Sequence, residues 1–167
     1  MEDINIQEFD MKRISLLERI RNENFIIVDI EAIKISEDHA CIRKIYILSK
    51  NGMKNLEVEC TPCKWLCELP KKYKEAFFYC QRHIHKLNYY PPRYCTVKCN
   101  DVPNIVRNFD RNVKLMLYKG GEYEKKLARS IGMDSINIEE VGIQKVNSHN
   151  PKEEVNLYFN QLLHLKA

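Results

Sequence analysis

The chain has 167 residues, of which 44% are apolar and 30% are charged, with a net charge of +4. This balance predicts one globular domain and excludes a disordered chain. Apolar runs such as FIIV are too short to span a membrane, and the polar, acidic N-terminus is unlike a secretory signal. The seven cysteines are therefore expected to be reduced thiols in an intracellular protein, cytoplasmic or nuclear, whose oligomeric state the sequence leaves open.

The first half of the chain predicts a helix followed by a three-stranded meander. Apolar residues at helical spacing indicate a short helix within residues 1–24, an N-terminal extension to a domain spanning 25–167. Strands are expected over residues 25–31, 42–49 and 54–59. Asn51-Gly52 is a strong signal for a tight turn between the second and third of them.

The second half predicts helices that alternate with strands. Helices are expected over 70–87, after a cap at Asp101, over 122–131 and over 152–165, with a loop at 88–94. A strand is expected over 113–118, and a short strand or a turn over 136–140. The fold class is therefore α/β: a mixed sheet that begins with a three-strand meander and is flanked by helices.

Two acids end the first predicted strand. Asp29 and Glu31 are one residue apart in FIIVDIE, so their side chains lie on the same side of the strand. The simpler interpretation is a strand that emerges into solvent. The functional interpretation is a site for Mg²⁺ or Mn²⁺, since carboxylates prefer these ions and the ion removes their mutual repulsion.

A metal site needs more acids at the same end of the sheet. Glu124 follows the strand-to-helix turn in YKGGEYEKKL, and Glu154 lies near the start of the last helix. His149, five residues before Glu154, is a candidate to take a proton from water, because histidine titrates near neutral pH.

This order of residues resembles the ribonuclease H-like fold, and more narrowly the exonuclease superfamily with the Asp-Glu-Asp-Asp-His pattern. Asp29 and Glu31 match its Asp-x-Glu motif, Glu124 falls near the aspartate of the second motif, and His149 and Glu154 match His-x4-Asp with glutamate for aspartate. The stretch LMLYKGGEYEKKLARSIGMDSINIEEVG is similar to a divergent branch from transposable elements and viruses of invertebrates. The Maelstrom domain is another relative of that superfamily.

The resemblance implies a two-metal 3′–5′ exonuclease that releases nucleoside 5′-monophosphates. Its metal ligands would be Asp29, Glu31, Glu124 and Glu154, and His149 would be the general base. Glutamate in the second and third motifs departs from the family pattern and moves each carboxylate outward, and a misplacement of about 1 Å can cost about a hundredfold in rate. A helix shifted by one residue would present Tyr123 in place of Glu124, and with it no ligand.

A second cluster offers a structural zinc site. The spacing C-x2-C followed by C-x2-H gives Cys60, Cys63, Cys80 and His83 as tetrahedral ligands. Substitutes for these ligands are Cys67, His85, Cys95 and Cys99. The simpler interpretation is that cysteines such as Cys80, on the apolar stripe of its helix, belong to the core.

Cations interleaved with aromatic residues suggest a surface for single-stranded RNA or DNA, by phosphate contact and base stacking. The candidate contacts are Arg82, His85, Tyr89, Tyr90, Arg93 and Lys119. A solvated helix followed by a packed, tyrosine-rich loop is the simpler interpretation.

The sequence thus supports two hypotheses. One is a metal-dependent exonuclease on RNA or single-stranded DNA. The other is a catalytically inactive module of the same fold that binds nucleic acid or protein and is stabilised by zinc. They differ in whether four carboxylates converge.

Overall fold

The computed structural model describes residues 2–64, 66–84, 96–144, 146 and 148–165. The described part of the chain forms one six-stranded sheet. The strands are β1 (Phe25–Lys34), β2 (Ala40–Ser49), β3 (Asn55–Thr61), β4 (Thr96–Lys98), β5 (Leu115–Tyr118) and β6 (Asp134–Asn137). The α-helices are α1 (Glu2–Asn22), α2 (Lys71–Tyr79), α3 (Val102–Phe109), α4 (Glu122–Ser130) and α5 (Pro151–His164).

The sheet is mixed, with the strand order β4-β3-β2-β1-β5-β6. β1, β2 and β3 form an antiparallel meander, whereas β5 pairs with β1 and β6 with β5 in parallel. β1 is central and is covered on both faces, which explains why it begins with a continuous apolar run instead of an alternating one.

Alternate residues of β1 enter two different cores. Phe25 and Ile27 pack with residues of α1 and α5 on one face of the sheet. Ile26, Val28 and Ile30 pack with residues of α3 and α4 on the other face. A side chain's position along β1 therefore decides which pair of helices it meets.

The predicted order of a meander followed by alternating helices and strands is confirmed. Asn51-Gly52 makes the turn between β2 and β3, with Gly52 at a left-handed φ of +71° that favours glycine. Among the described helices, none is long and apolar enough to cross a membrane.

Several boundaries differ from the sequence-based ones. β1 continues to Lys34, so Asp29 and Glu31 lie inside the strand and not at its end. The short strand near residue 136 is β6, which starts at Asp134, and the three-residue β4 was not predicted at all. Asp101 precedes α3, but its side chain makes no capping hydrogen bond. The loop expected at 88–94 lies outside the described residues.

Candidate carboxylate metal site

The site forms where β1 runs past the end of β5. The pairing of these two strands runs from Phe25↔Leu115 to Ile27↔Leu117, and β5 ends at Tyr118. Beyond this point the edge of β1 is open to side chains from the helices. A polar N–H on a buried strand needs a partner, so the open edge needs an acceptor.

Three acids meet beside this edge. Asp29 and Glu31 lie on the same face of β1 as Phe25 and Ile27, the face that α5 covers. Carboxylate oxygens of Asp29, Glu31 and Glu154 lie within 4.8 Å of one another. Asp29 and Glu154 are each 8% exposed. Burial and like charge therefore both disfavour the ionised form of these carboxyl groups.

The N-terminus of α5 holds Glu154 in place. Pro151 occupies the first turn, where its missing N–H costs nothing, and the Asn150 side chain caps the helix by accepting from the Glu153 N–H at 3.2 Å. The Glu154 N–H donates to the Asn150 carbonyl at 2.9 Å. The sequence NPKEE is therefore a helix start that delivers one acid to the site and leaves its neighbour Glu153 exposed.

The fourth acid, Glu124, comes from the first turn of α4 on the opposite face of the sheet. It is 3% exposed, and its Oε1 accepts the Ile30 N–H at 3.0 Å. Tyr123 is 40% exposed, so the helix register presents Glu124 and not Tyr123 to β1. Glu124 therefore supplies the acceptor that the open edge of β1 needs. The N–H group that it accepts belongs to Ile30, the residue between Asp29 and Glu31.

Gly121, the N-cap residue of α4, makes room for this carboxylate. A β-carbon at position 121 would overlap Glu124 Oε2. The backbone of Gly121 is extended, with φ −85° and ψ 145°, a conformation open to any residue. The requirement for glycine here is thus one of space beside the acid and not one of backbone conformation.

Burial raises the pKa values of the two innermost acids. For Asp29, burial raises the pKa well above its usual range, and hydrogen bonding with Glu154 and the negative charges of Glu154, Glu31 and Glu124 add to the effect. Burial also raises the pKa of Glu124 to about 7, although hydrogen bonds from its own backbone N–H and that of Ile30 act in the opposite direction. Without a cation, burial and mutual repulsion therefore disfavour the ionised forms of these acids.

These residues fit a hard divalent cation. Asp29 Oδ2 and Glu124 Oε2 are buried and accept no hydrogen bond from any described residue. A cation would satisfy these oxygens and remove the repulsion that raises the pKa values, and all-carboxylate donors are those that Mg²⁺ and Mn²⁺ prefer.

His149 lies on the segment that leads into α5. Its side chain is exposed, and its φ of +55° is in the left-handed region, which is uncommon for a residue other than glycine. The same segment is attached to α5 through Val146, which exchanges hydrogen bonds with the Tyr158 hydroxyl at 3.3 and 3.4 Å. The assignment of His149 as general base stays a prediction.

The predicted nucleic-acid contacts are only partly within the described chain. Lys119 pairs with Glu139 at 2.7 Å, and only 9% of its side chain is exposed. Arg82 is exposed, with its guanidinium 5.7 Å from the centre of the Phe78 ring. His85, Tyr89, Tyr90 and Arg93 lie outside the described residues.

The zinc ligands inferred from C-x2-C and C-x2-H spacing do not come together. Cys60 is fully buried in the core between the sheet, α3 and α4, and Cys80 packs beside Phe77. The His83 ring contacts the Tyr79 ring in a tilted arrangement, with the ring centres 5.1 Å apart. Spacing alone misled here because Cys60 points inward from β3 while Cys63 lies beyond the strand.

Cys63 instead lies with Cys41 and Cys99, whose Sγ atoms are all within 4.8 Å of one another. Cys41 belongs to none of the ligand sets that cysteine spacing predicts, and Cys99 belongs only to the substitutes. The roles of Gly121 and of the Ile30 N–H were likewise not predicted. The only signal for Gly121 in the sequence is the Gly-Gly break itself. The only signal for Cys41 is its position at the start of a strand.

Comparison with solved structures finds the same fold in a nuclease. The chain is similar to the zinc-bound crystal structure of the E. coli ExoI–ssDNA complex, with a TM-score of 0.57 and 9% sequence identity. The similarity covers 83% of this chain and 39% of that chain, so the chain corresponds to well under half of ExoI's length. The six-stranded mixed sheet flanked by helices is therefore ribonuclease H-like, as the sequence resemblance implied. No protein-family profile matches the chain, and no curated protein matches it.

The raised pKa of Glu124 predicts a pH-dependent stability in chelator. A carboxyl group whose pKa rises from 4.5 to about 7 on folding stabilises the fold fully below pH 4.5, and this contribution is lost as the pH rises to about 7. At about 1.4 kcal/mol per unit of pKa, the loss is at most roughly 3.5 kcal/mol. Glu124→Gln cannot titrate and should lack this part of the slope, whereas Glu122→Gln, on the exposed side of the same helix, should retain it. Urea denaturation across this pH range measures the difference, and equal slopes in all three proteins would contradict the assignment.

Gly121→Ala should weaken binding of a divalent cation without straining the backbone. The new methyl group displaces the Glu124 carboxylate, and we expect Mn²⁺ affinity to fall about 10- to 100-fold in calorimetric titration. Gly132→Ala is the control, because Gly132 has open space around it and a φ of +71°, so it should lower stability and leave Mn²⁺ affinity unchanged. Unchanged affinity in Gly121→Ala would show that Glu124 has no part in the site.

Proposed function

We propose that the protein is a metal-dependent 3′–5′ exonuclease acting on RNA or single-stranded DNA. The observation that carries the proposal is the convergence of Asp29, Glu31 and Glu154, with Glu124 bonded to the β1 backbone beside them. A catalytically inactive module of this fold has no need to bury three acids beside a fourth that is partly exposed, because each buried charge destabilises the fold unless something compensates for it.

In this proposal the four carboxylates hold Mg²⁺ or Mn²⁺ against the rigid strand β1. The bound ions supply Lewis acidity at the scissile phosphate and lower the pKa of bound water. Asp29 and Glu31 are fixed by the sheet, and Glu154 and Glu124 by the first turns of α5 and α4. Rigid elements matter here because phosphodiester hydrolysis depends on placement of the reacting groups to within about 1 Å.

His149 would take the proton from the attacking water at a ring nitrogen and pass it to solvent. Its exposed ring and its place five residues before Glu154 support this role. The net charge of +4 suits a polyanionic substrate, and the exposed Arg82 offers one phosphate contact. The E. coli ExoI complex contains single-stranded DNA, which supports the choice of a single-stranded substrate.

The direct test follows 5′-labelled single-stranded RNA and its DNA counterpart with Mg²⁺, Mn²⁺ or chelator. For the wild type we expect a ladder of products that shortens from the 3′ end when metal is present, and no ladder in chelator. Glu154→Gln should lower the rate at least about a hundredfold, because it removes a charged ligand and changes the shape little. Glu153→Gln is the matched control: the same change at the adjacent exposed residue should leave the rate unchanged.

Equal rates for Glu154→Gln and Glu153→Gln would contradict the proposed site. Binding of the labelled strand without cleavage under any metal condition would contradict the enzyme and favour the inactive nucleic-acid-binding module. Immediate release of the labelled 5′ nucleotide, or discrete internal cuts, would keep the carboxylate site and overturn the direction of cleavage.

His149→Asn should slow cleavage about 10²- to 10⁴-fold near neutral pH while Mn²⁺ affinity stays unchanged. Asparagine tolerates the left-handed backbone at this position, so the substitution removes the base and keeps the loop conformation. His149→Gly also tolerates it, and added imidazole should restore part of the rate. Full activity in His149→Asn would exclude this residue as the general base.

A further inference from the structure

A second group of ligand atoms lies at one end of the sheet, where β2 begins and β3 and β4 end. Cys41 is the second residue of β2, Cys63 lies two residues beyond β3, and Cys99 directly follows β4. β3 and β4 run parallel to each other, and β2 runs antiparallel to β3. The start of β2 and the ends of β3 and β4 therefore lie at the same end of the sheet. This convergence brings the three Sγ atoms within 4.8 Å of one another.

Backbone donors are aimed at two of these sulfurs. The Cys63 N–H donates to Cys41 Sγ at 3.0 Å, and the Ile42 N–H donates to Cys99 Sγ at 3.3 Å. The β2–β3 ladder runs only from Lys44 to Leu48, so the Ile42 N–H lies beyond it and is available to a sulfur. Such N–H groups stabilise a thiolate, the form of cysteine that binds metal. Metal binding would replace the thiol protons of the cluster, because zinc takes cysteine in its thiolate form.

His39 is the candidate for a fourth ligand. It lines a cavity of about 350 Å³ together with Cys63 and Cys99, and its carbonyl accepts the Ile35 N–H at 3.0 Å, which fixes the loop before β2. Its side chain is exposed, and its ring nitrogens lie outside the group of atoms within 4.8 Å of one another, so the ring would turn toward the sulfurs when the ion binds. Cys63 is exposed too, so an ion can reach the cluster from solvent.

We propose that Cys41, Cys63 and Cys99 bind a structural zinc ion, with His39 as the fourth ligand. Three thiolates and one imidazole are a donor set that zinc takes in closed tetrahedral sites. Zinc–sulfur bonds of about 2.3 Å bring tetrahedral sulfurs to about 3.8 Å from each other, so the cluster needs only a small contraction. The ion would join β4, a strand of three residues, to β2 across the edge of the sheet.

The remaining cysteines provide the contrast that the test needs. Cys60 is fully buried among apolar side chains, whereas Cys67 is exposed and does not belong to the cluster of described thiols. Cys67→Ser is therefore the matched control for serine substitutions of the cluster. The carboxylate site at Asp29 uses different residues, so the two sites are separable by mutation.

The experiment measures metal content and coordination in the full-length chain. We expect about one zinc per chain by plasma mass spectrometry after purification without chelator, and loss of most of it in Cys63→Ser and Cys99→Ser. Cys67→Ser and Asp29→Asn/Glu31→Gln should each retain it. Cobalt substituted for zinc should give a thiolate-to-metal charge-transfer band and tetrahedral d–d bands, and both should disappear in Cys99→Ser.

The wild type alone supplies a test that does not depend on the variants folding. A mercurial reagent that titrates thiols should release zinc in step with modification of about three cysteines, as expected for a three-thiolate site. Zinc that survives in Cys99→Ser, or that leaves in Asp29→Asn/Glu31→Gln, would overturn the proposal. So would a purified wild type without zinc and with an octahedral cobalt spectrum, or with a disulfide between two of the three cysteines.

Discussion

The repulsion among buried acids is the main physical constraint on the carboxylate site. Asp29, Glu124 and Glu154 are each at most 8% exposed, and Glu31 is only partly buried beside them. Removing such charges from water is expensive, and placing them side by side adds to the cost. The fold tolerates them because the innermost acids hold protons more tightly than usual, and a divalent cation can take the place of those protons.

The same hairpin of β1 and β2 links the two candidate ion sites. Asp29 pairs with Tyr46, and four residues further along β1 Ile33 pairs with Cys41. At about 3.3 Å per residue the two positions are roughly 13 Å apart along the strand. An ion on the thiols would therefore fix the far end of the strand that carries Asp29 and Glu31. The two donor sets also differ in hardness, so each edge of the sheet would select a different class of metal.

Local signals in the sequence predicted much of this arrangement. The DIE triplet, the Gly-Gly break before α4 and the NPKEE helix start all act over a few residues, and each places an acid beside β1. The thiol cluster was not predictable in the same way. Cys41, Cys63 and Cys99 belong to three strands, and β4 is a three-residue strand that no periodic pattern marks. Their meeting follows from the pairing of β3 with β4, which is a property of the sheet and not of any segment.

The most direct measurement is the anomalous scattering of manganese in a crystal of the wild-type protein grown with Mn²⁺ and without nucleic acid. An anomalous peak within bonding distance of carboxylate oxygens from Asp29, Glu31 and Glu154 is the predicted result. A crystal in which these carboxylates keep hydrogen bonds to one another, with manganese bound only elsewhere, would contradict the assignment of this edge of β1 as a metal site.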